Sequence, residues 1–493
     1  LLRQAPWSQP RLEYRPTEAI GDDDLERVHQ ASLRILEQIG MEVLDPEARS
    51  VFREAGCDVH EQTCRVRFPG EVVESAIRTA PESFVLHARN PAHDVIIGGN
   101  HLTFGTVAST PNYLDRSGVR RTGDRAGMQE LLKVAQQLNI IHLISGYPVE
   151  PTDIPVPIRH LEATWDIVTL TDKGLPCYSL GRQRNIDLLH IARIVRGLDG
   201  SQLTREPSVI TIVNTNSPLR LDVSMSQGMI EFARHGQPVV VTPFTLAGAM
   251  APITLAGALA QQNAEALAGI ALLQLVNPGA PAVYGGITSN VDMQSGAPAF
   301  GTPEYAKAAL ASGQLARRYR LPFRSLSGTS ANALDAQSAF ESMMSLWGTV
   351  MGGVNFLMHA AGWLEGGLLS SSDKMVADAE MLQMVAAFLT PMDTSGDAIP
   401  VETIAEVGPG GHFFGTAHTM ARFRDEFHQP LIGDRRNYET WADAGRPTLD
   451  VAAHSLVDRL LDSYEPPPID DAIRDELREF IDRRIAEGGA PDL

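Results

Sequence analysis

Pro238–Gln261 reads PVVVTPFTLAGAMAPITLAGALAQ, and the way that run divides decides the fold. It is long enough to cross a bilayer, which takes about 20 consecutive apolar residues. Pro238, Pro243 and Pro252 interrupt it, and a proline inside a helix removes a backbone donor and clashes with the preceding turn. Gly and Ala dilute the rest. The run therefore reads as a buried strand, a loop and the opening of a buried helix, and no membrane partner is expected.

The same unit recurs on both sides. Apolar runs of strand length occupy Leu102–Val107 (LTFGTV), Ile140–Ser145 (IIHLIS), Leu175–Leu180 (LPCYSL), Ser208–Val213 (SVITIV), Val239–Phe244 (VVVTPF), Ala282–Ile287 (AVYGGI), Phe323–Ser327 (FRSLS) and Val354–His359 (VNFLMH). From 102 to 354 is 252 residues in seven steps, or 36 per step, which is room for a strand, a helix and two short loops. Helix-like stretches lie between them, among them 124–138, 158–170, 185–196, 253–275, 303–319 and 335–350. Strands that alternate with helices pair in parallel through crossovers, and eight such units predict an α/β fold, a (β/α)8 TIM barrel. A doubly wound open sheet is the competing architecture. Residues 1–100, with an amphipathic helix from Asp24 to Ile39 stopped by Gly40, are expected to form an N-terminal α/β cap. The barrel is expected over 101–440. Residues 441–493 form a C-terminal helical extension, whose charged helix Ile469–Glu487 reads as a surface or subunit arm.

Composition narrows the partners. A chain of 493 residues, 43% hydrophobic and 20% charged, can bury a large core. A net charge of −19 argues against nucleic acid, whose binding needs clustered Lys and Arg to displace counterions. Cys57, Cys64 and Cys177 form neither a CxxC pair nor a disulfide framework, which suits a reducing cytoplasm. The opening LLRQAPWSQPRLEYRP lacks the apolar segment of a signal peptide.

In a barrel of this kind the reacting groups sit on the loops that follow the strands. Those loops present Tyr147 and Glu150 after the second strand, Arg182 after the third, and Asn214 and Asn216 (NTNSP) after the fourth. Thr288–Asp292 (TSNVD) follows the sixth, Gly328–Asn332 (GTSAN) the seventh, and Trp363 with Glu365 the eighth. Between Arg234 and Glu304 the only charged residues are Glu265 and Asp292, so charge is kept out of the wall while polar groups gather at the strand ends. Asn and Asp are also ordinary turn residues. Asp292 could simply cap a turn, and Asp335 in DAQSAFE could open a helix at its positive end. Recurrence at consecutive strand ends is the signal.

Familiar catalytic motifs are missing. There is no HExxH, GxSxG or Walker loop, and neither His412 with His418 nor Cys57 with Cys64 has a zinc-ligand spacing, so no metal is expected. Among the 14 histidines, His359 stands out for its place at a strand end. EVGPGGHFFG, Glu406–Gly415, looks like the acidic-Gly-x-Gly-Gly turn that holds S-adenosylmethionine in many methyltransferases. That turn needs βα units after it, and only 78 residues follow Gly415, so no S-adenosylmethionine is expected.

Several long blocks, in order, carry a resemblance: ILEQIGMEV, FPGEVVESAIRTAPESFVLHARNP, TSNVDMQSGAPAFGTPEYAKAALASGQLARRYRLP, GTSANALDAQSAFES, GGVNFLMHAAGWLEGGLLSSSDKMVADAE and VGPGGHFFGTAHTMARFRDEF. Over nearly its full length the chain is similar to the trimethylamine methyltransferase (MttB-like) superfamily. The resemblance implies a (β/α) barrel and a reaction that moves a methyl group from an amine nitrogen to the cobalt of a corrinoid (cobalamin) carried on a separate corrinoid-binding protein. Founding archaeal members of that superfamily carry pyrrolysine, near the region matching 328–334, whereas every residue here is standard. The departure changes the leaving group. A neutral tertiary amine would have to expel an amide anion, and pyrrolysine is thought to form an adduct that makes the nitrogen cationic first. A quaternary ammonium already departs as a neutral amine. The chain therefore resembles the glycine betaine branch, and a small quaternary amine is the expected substrate.

Displacement by cobalt(I) with a neutral leaving group needs neither a general base nor zinc; it needs placement. The candidate catalytic set is Asn290, Asp292, Asn332, Asp335 and His359. Tyr147, Phe244, Tyr284 and Trp363 are candidate aromatic faces for the ammonium, each worth ~0.5–2 kcal/mol. Arg182, Asn214 and Asn216, with Asn290, Asn332 and His359, are candidate donors to a substrate carboxylate. Asp292, Asp335 and Glu365 could instead supply counter-charge. The competing readings are a quaternary-ammonium-binding barrel without catalysis and a methyltransferase for another methylated amine. A homo-oligomer is expected.

Overall fold

A computed structural model of the chain describes residue 2 and residues 4–491; Leu1, Arg3, Asp492 and Leu493 lie outside it. The eight predicted strands form one parallel barrel: β1 (Thr103–Thr106), β2 (residues 140–145), β3 (Leu175–Tyr178), β4 (Val209–Val213), β5 (Val239–Val241), β6 (Ala282–Gly285), β7 (Phe323–Leu326) and β8 (Phe356–Ala361). Seven of them pair in the order β1-β8-β7-β6-β5-β4-β3. The remaining gap closes through one residue, because Leu143 of β2 bridges Gly105 on one side and Gly174 on the other. β2 pairs so sparsely for a local reason: the Phe104 N–H donates to the His142 ring Nδ1 (3.0 Å) instead of to a strand carbonyl, and the two rings stack.

Eight helices surround the strands in alternation: α1 (Arg125–Gln137), α2 (Val156–Leu170), α3 (Arg182–Arg196), α4 (Val223–Arg234), α5 (Leu255–Val276), α6 (Pro303–Arg318), α7 (Ala336–Met351) and α8 (Ser372–Leu389). Many open on a side chain that satisfies an orphan backbone donor of the first turn. Asp124, Asp222, Thr302, Asp335 and Ser371 cap α1, α4, α6, α7 and α8 in this way. α4 and α8 complete the set beyond the stretches named from sequence; α8 sets Lys374, Asp378 and Glu380 among its buried residues, which blurs its apolar stripe.

The Pro238–Gln261 run divides into β5, a short strand at Phe244–Ala247, a turn, and the start of α5. α5 is buried on all sides, from Ala258 through Gln274, which is why it is apolar all round. One face lies on the barrel. The other is covered by the N-terminal helices Asp22–Arg34, Pro46–Glu54 and Gly70–Ile77. No helix among the described residues is long and apolar enough to cross a membrane. The N-terminal region also has a small sheet, Met41–Val43, Asp58–His60 and Arg65–Arg67, to which Arg220–Leu221 adds a parallel strand.

At the other end of the chain, helices Leu449–Asp462 and Asp471–Ala486 fold back onto the barrel's own helices. The second buries Leu477, Phe480 and Ile481 and sets Arg484 against Asp187 of α3 (2.8 Å) and Arg478 against Glu162 of α2 (3.0 Å). This helix lies as a strap on α2 and α3. TIAEV, ahead of the Gly-rich 408–411 turn, is part of a short helix (Val401–Val407) and not the strand that a nucleotide-binding turn would follow.

Candidate active site

Alternation along the strands decides what faces the barrel interior. At the N-terminal end, Leu143, Ile210, Val240, Val283 and Phe356 form one apolar cluster with Leu86, Val95 and Ile97. The last three belong to the antiparallel hairpin Ser83–Leu86 and Val95–Gly98, which plugs the barrel from below. The next level up is polar. Gly285 of β6 stands in register with Arg324 of β7, and Arg324 with Phe356 of β8, so the guanidinium points inward with Phe356. Arg324 is 1% exposed, and its Nη2 meets the Met358 sulfur at 2.9 Å. Its Nε and Nη1 have no hydrogen-bond partner. Burial pushes its pKa down to about 10. The buried hydroxyls of Ser145 and Thr242 are likewise without partners. Both are admitted by a facing glycine: a Cβ on Gly105 would stand 2.0 Å from Ser145 Oγ, and one on Gly285 would stand 2.0 Å from Thr242 Oγ1.

Above this level the walls become aromatic. At the end of β3 and in the loop after β2, Tyr178 and Tyr147 pack edge to face with centroids 4.6 Å apart. The Tyr178 oxygen accepts from the Ser109 hydroxyl (2.8 Å) and the Tyr147 N–H (2.9 Å), leaving its own proton available to donate. These residues, with Glu150, Arg159, His160 and Leu188, line a cavity of about 540 Å³ between the end of β3 and helices α2 and α3. Glu150 is paired with Arg159 at 2.8 Å. Across the mouth the rings run Phe244, Phe300, Trp363, His359, with successive centroids at 6.4, 5.6 and 4.6 Å. Two small sheets flank the opening: Phe244–Ala247 with Ile287–Val291 and Pro298–Ala299, and Trp363–Leu364 with Leu369–Ser371, Asn112–Leu114 and Arg120–Thr122.

His359 joins the two walls. Its Nδ1 accepts the Ala108 N–H (3.1 Å), so the proton of the neutral ring sits on Nε2. Burial first, and the Arg324 charge second, hold its pKa well below the usual histidine range. Its φ is +56°, a left-handed conformation that a side chain adopts at a cost of order 1–3 kcal/mol and that clusters at functional sites.

Buried and half-buried carboxyl groups hold the surrounding loops. Glu265, the lone charge of α5, accepts from the Thr215 and Ser217 hydroxyls, the Leu219 N–H and the Gln261 amide, pinning the loop after β4. Glu341 of α7 accepts from Thr329 Oγ1 and the N–H groups of Ser330 and Ala331, pinning the loop after β7. Asp378, paired with Lys374, accepts the Gly362 N–H just before Trp363.

The residues singled out from sequence divide by position. Phe244, Trp363 and His359 fall in one run of rings beyond the strands, and Tyr147 lines the cavity beside Tyr178. Asn290 is half-buried in the added sheet, where its Oδ1 accepts from Thr302 (3.2 Å). Asp292 is exposed and caps the turn at Gln294 and Ser295, and Asp335 is exposed and caps α7. Asn214, Asn216 and Asn332 are exposed on their loops, and Asn216 bonds Asp222. Glu365 pairs with Arg120 at the rim. Arg182 points away, into ion pairs with Glu47 and Glu231, and Tyr284 faces α5, where its hydroxyl bonds Asn263 and Gln262. Sequence reasoning passed over Arg324, Tyr178 and Phe300. The signal for Arg324 was present: it is the single cation inside a barrel strand, FRSL.

The fold is that of a parallel (β/α) barrel, whose strand ends carry these aromatic and polar side chains. Comparison with known proteins gives the particular family. A family model described as trimethylamine methyltransferase (MTTB) matches residues 2–489; the chain belongs to that family and is a methyltransferase. It is 36% identical over 470 residues to a glycine betaine methyltransferase of Desulfitobacterium hafniense, covering 95% of this chain and 97% of that one. It is 31% identical over 467 residues to the trimethylamine methyltransferase MttB1 of Methanosarcina mazei, covering 94% of each. A crystal structure of the hydroxylamine MtmB complex aligns over 95% of this chain and 96% of that one, with a TM-score of 0.49 and 12% identity.

Proposed function

We propose that the chain demethylates a small betaine-type quaternary amine and delivers the methyl group to a corrinoid presented by a separate carrier protein. The observation that carries this reading is the set of aromatic side chains beyond the strand ends, Tyr147 with Tyr178 and the run from Phe244 through Phe300 to Trp363 and a neutral His359, on a barrel filled from below by a hairpin. Aromatic faces attract a quaternary ammonium through their quadrupoles, and desolvation strengthens the attraction. The relationship to a glycine betaine methyltransferase supports the same substrate class.

A reduced corrinoid supplies the electron pair that takes the methyl group. The chain's own part is placement. Tyr147 and Tyr178 on one wall, and Trp363 and Phe300 on the other, hold the ammonium so that one N–CH₃ faces the mouth. His359, neutral with its proton on Nε2, adds no positive charge beside the cation. The nearby carboxyl groups of Glu265, Glu341 and Asp378 are committed to loop contacts, which agrees with a reaction whose leaving group needs no proton. Asn290, Asn332 and Asp292, at the rim, face the approaching carrier. We place the enzyme in the cytoplasm, in keeping with its free cysteines, and as a homo-oligomer, in keeping with the exposed Phe340, Trp347, Phe388 and Phe414.

The test mixes the protein with reduced free cobalamin and, in turn, glycine betaine, proline betaine, carnitine, choline and trimethylamine, and follows methylcobalamin absorbance. Growth with a quaternary amine, and none with trimethylamine, is expected. Calorimetric binding of a quaternary amine with no methyl transfer to cobalamin or to a cognate carrier would favour a binding protein without catalysis.

A further inference from the structure

The polar level beneath the aromatic mouth is built around a positive charge that the protein does not neutralise. Arg324 lies in the barrel interior, and among the described residues no carboxylate stands within ion-pair distance of it; its hydrogen-bond partner among them is a thioether sulfur. Two of its three nitrogens, together with the hydroxyls of Ser145 and Thr242, are buried without partners. Native proteins satisfy nearly all buried polar groups, and a buried charge is ordinarily paired. Three such groups, on β2, just after β5 and on β7, all on the inward-facing positions of the barrel, mark the place of something that pairs with them. The glycines fit this purpose: Gly105 and Gly285 carry no side chain where one would collide with the Ser145 and Thr242 hydroxyls. The hairpin below blocks any counter-ion from that side.

The charge has a second consequence. A guanidinium next to an aromatic pocket repels a substrate that is only cationic. A substrate with a carboxylate a few bonds from its ammonium turns the same charge into an attraction, and a planar guanidinium matches a carboxylate with parallel N–H bonds. We infer that Arg324, assisted by Thr242 and Ser145, binds the carboxylate of a zwitterionic substrate, with the ammonium above it at the aromatic walls and the methyl group outermost. This rests on the betaine-type reading proposed above and assigns the residue that holds the carboxylate. His359 Nε2–H and the Tyr178 hydroxyl are further donors on the walls above it. Arg324 is thus a specificity-determining residue.

The experiment measures calorimetric affinity of the full-length protein for glycine betaine and for choline, and is independent of methyl transfer. Wild type should prefer glycine betaine at least tenfold. Arg324→Met, which keeps the length and removes the charge, should weaken glycine betaine at least thirtyfold and leave choline within threefold or tighter. Thr242→Val should weaken glycine betaine about three- to tenfold, and it tests the same point should Arg324→Met fail to fold. The inference is overturned if wild type binds choline as well as glycine betaine, or if Arg324→Met and Thr242→Val leave glycine betaine affinity unchanged or lower both affinities alike. Carboxylate-selective binding lost in Arg324→Met, without any transfer to a corrinoid, would uphold the inference and refute the reaction. Transfer from choline in preference to betaines would do the reverse.

Discussion

Replacing Glu265 separates anchoring from mere volume. Its two oxygens receive four bonds: Leu219 N–H and Gln261 Nε2 at 2.9 Å on Oε1, and the Thr215 and Ser217 hydroxyls on Oε2. Glu265→Ala leaves the Leu219 N–H without an acceptor and the Gln261 amide with Met250 O alone, while the hydroxyls lose their partner but can rotate. A buried orphan costs ~1–3 kcal/mol, so about 3–5 kcal/mol of stability should be lost once the missing packing is included. Glu265→Gln keeps an oxygen for Leu219 and Gln261 and turns its NH₂ toward hydroxyls able to accept, so it should cost only about 1 kcal/mol. Equilibrium unfolding in urea reads the difference as a change of midpoint at constant slope. Methyl transfer should survive in the Gln variant and fall in the Ala variant, because the loop after β4 borders the mouth. Equal destabilisation by the two variants, or less than about 1 kcal/mol for Ala, would show that the loop is held by something else.

Three further outcomes follow from the same geometry. Burial, then the Lys173 charge, hold the His142 pKa down to about 3 from 6.5. The unfolded chain therefore takes up this proton first as pH falls. The contribution is intact above about pH 6.5 and is lost on acidification at ~1.4 kcal/mol per pH unit, so His142→Gln should flatten stability against pH between about 6 and 4; an unchanged slope counts against it. Tyr147→Leu should raise the Kd for a quaternary amine by about two- to thirtyfold, equivalent to ~0.5–2 kcal/mol of lost cation–π attraction, with thermal stability little altered; unchanged calorimetric affinity would remove this wall from the site. Leu477→Ala, in the strap across α2 and α3, should cost ~2–5 kcal/mol in denaturant unfolding, and a loss below about 1 kcal/mol would show that the strap is not integral to the fold.

The barrel was legible because its information is periodic. Strand runs about 36 residues apart, and Asp or Thr just ahead of helical stretches, are local signals that the tertiary structure keeps. β2 was legible in position but not in pairing, since the His142 ring takes an N–H that a strand would have used. The site was legible only in outline. Loop positions located Tyr147 and Trp363 correctly after strand ends, whereas His359 falls within β8, and direction is a tertiary property. Arg182 begins a helix, so its long side chain is drawn outward to Glu47 and Glu231, and Tyr284 sits on the strand face that meets α5. Arg324 escaped because it lies within a strand, where one looks for packing, and inward alternation becomes visible only when the register with Gly285 and Phe356 is known. Glu265 explains the uncharged stretch from 235 to 303: its single carboxyl within the wall ties down a loop, while Asp292, outside the wall, caps a turn.

The hairpin that stoppers the barrel leaves a vessel with one doorway. Under the proposed reaction the small molecule must board first, since the bulky carrier, once seated on the rim, covers the route in. The demethylated amine then waits behind its own methyl acceptor until that partner departs. Under that reaction, loading is sequential and release last-out, and carrier present in excess should slow turnover by sealing barrels that have not yet been filled.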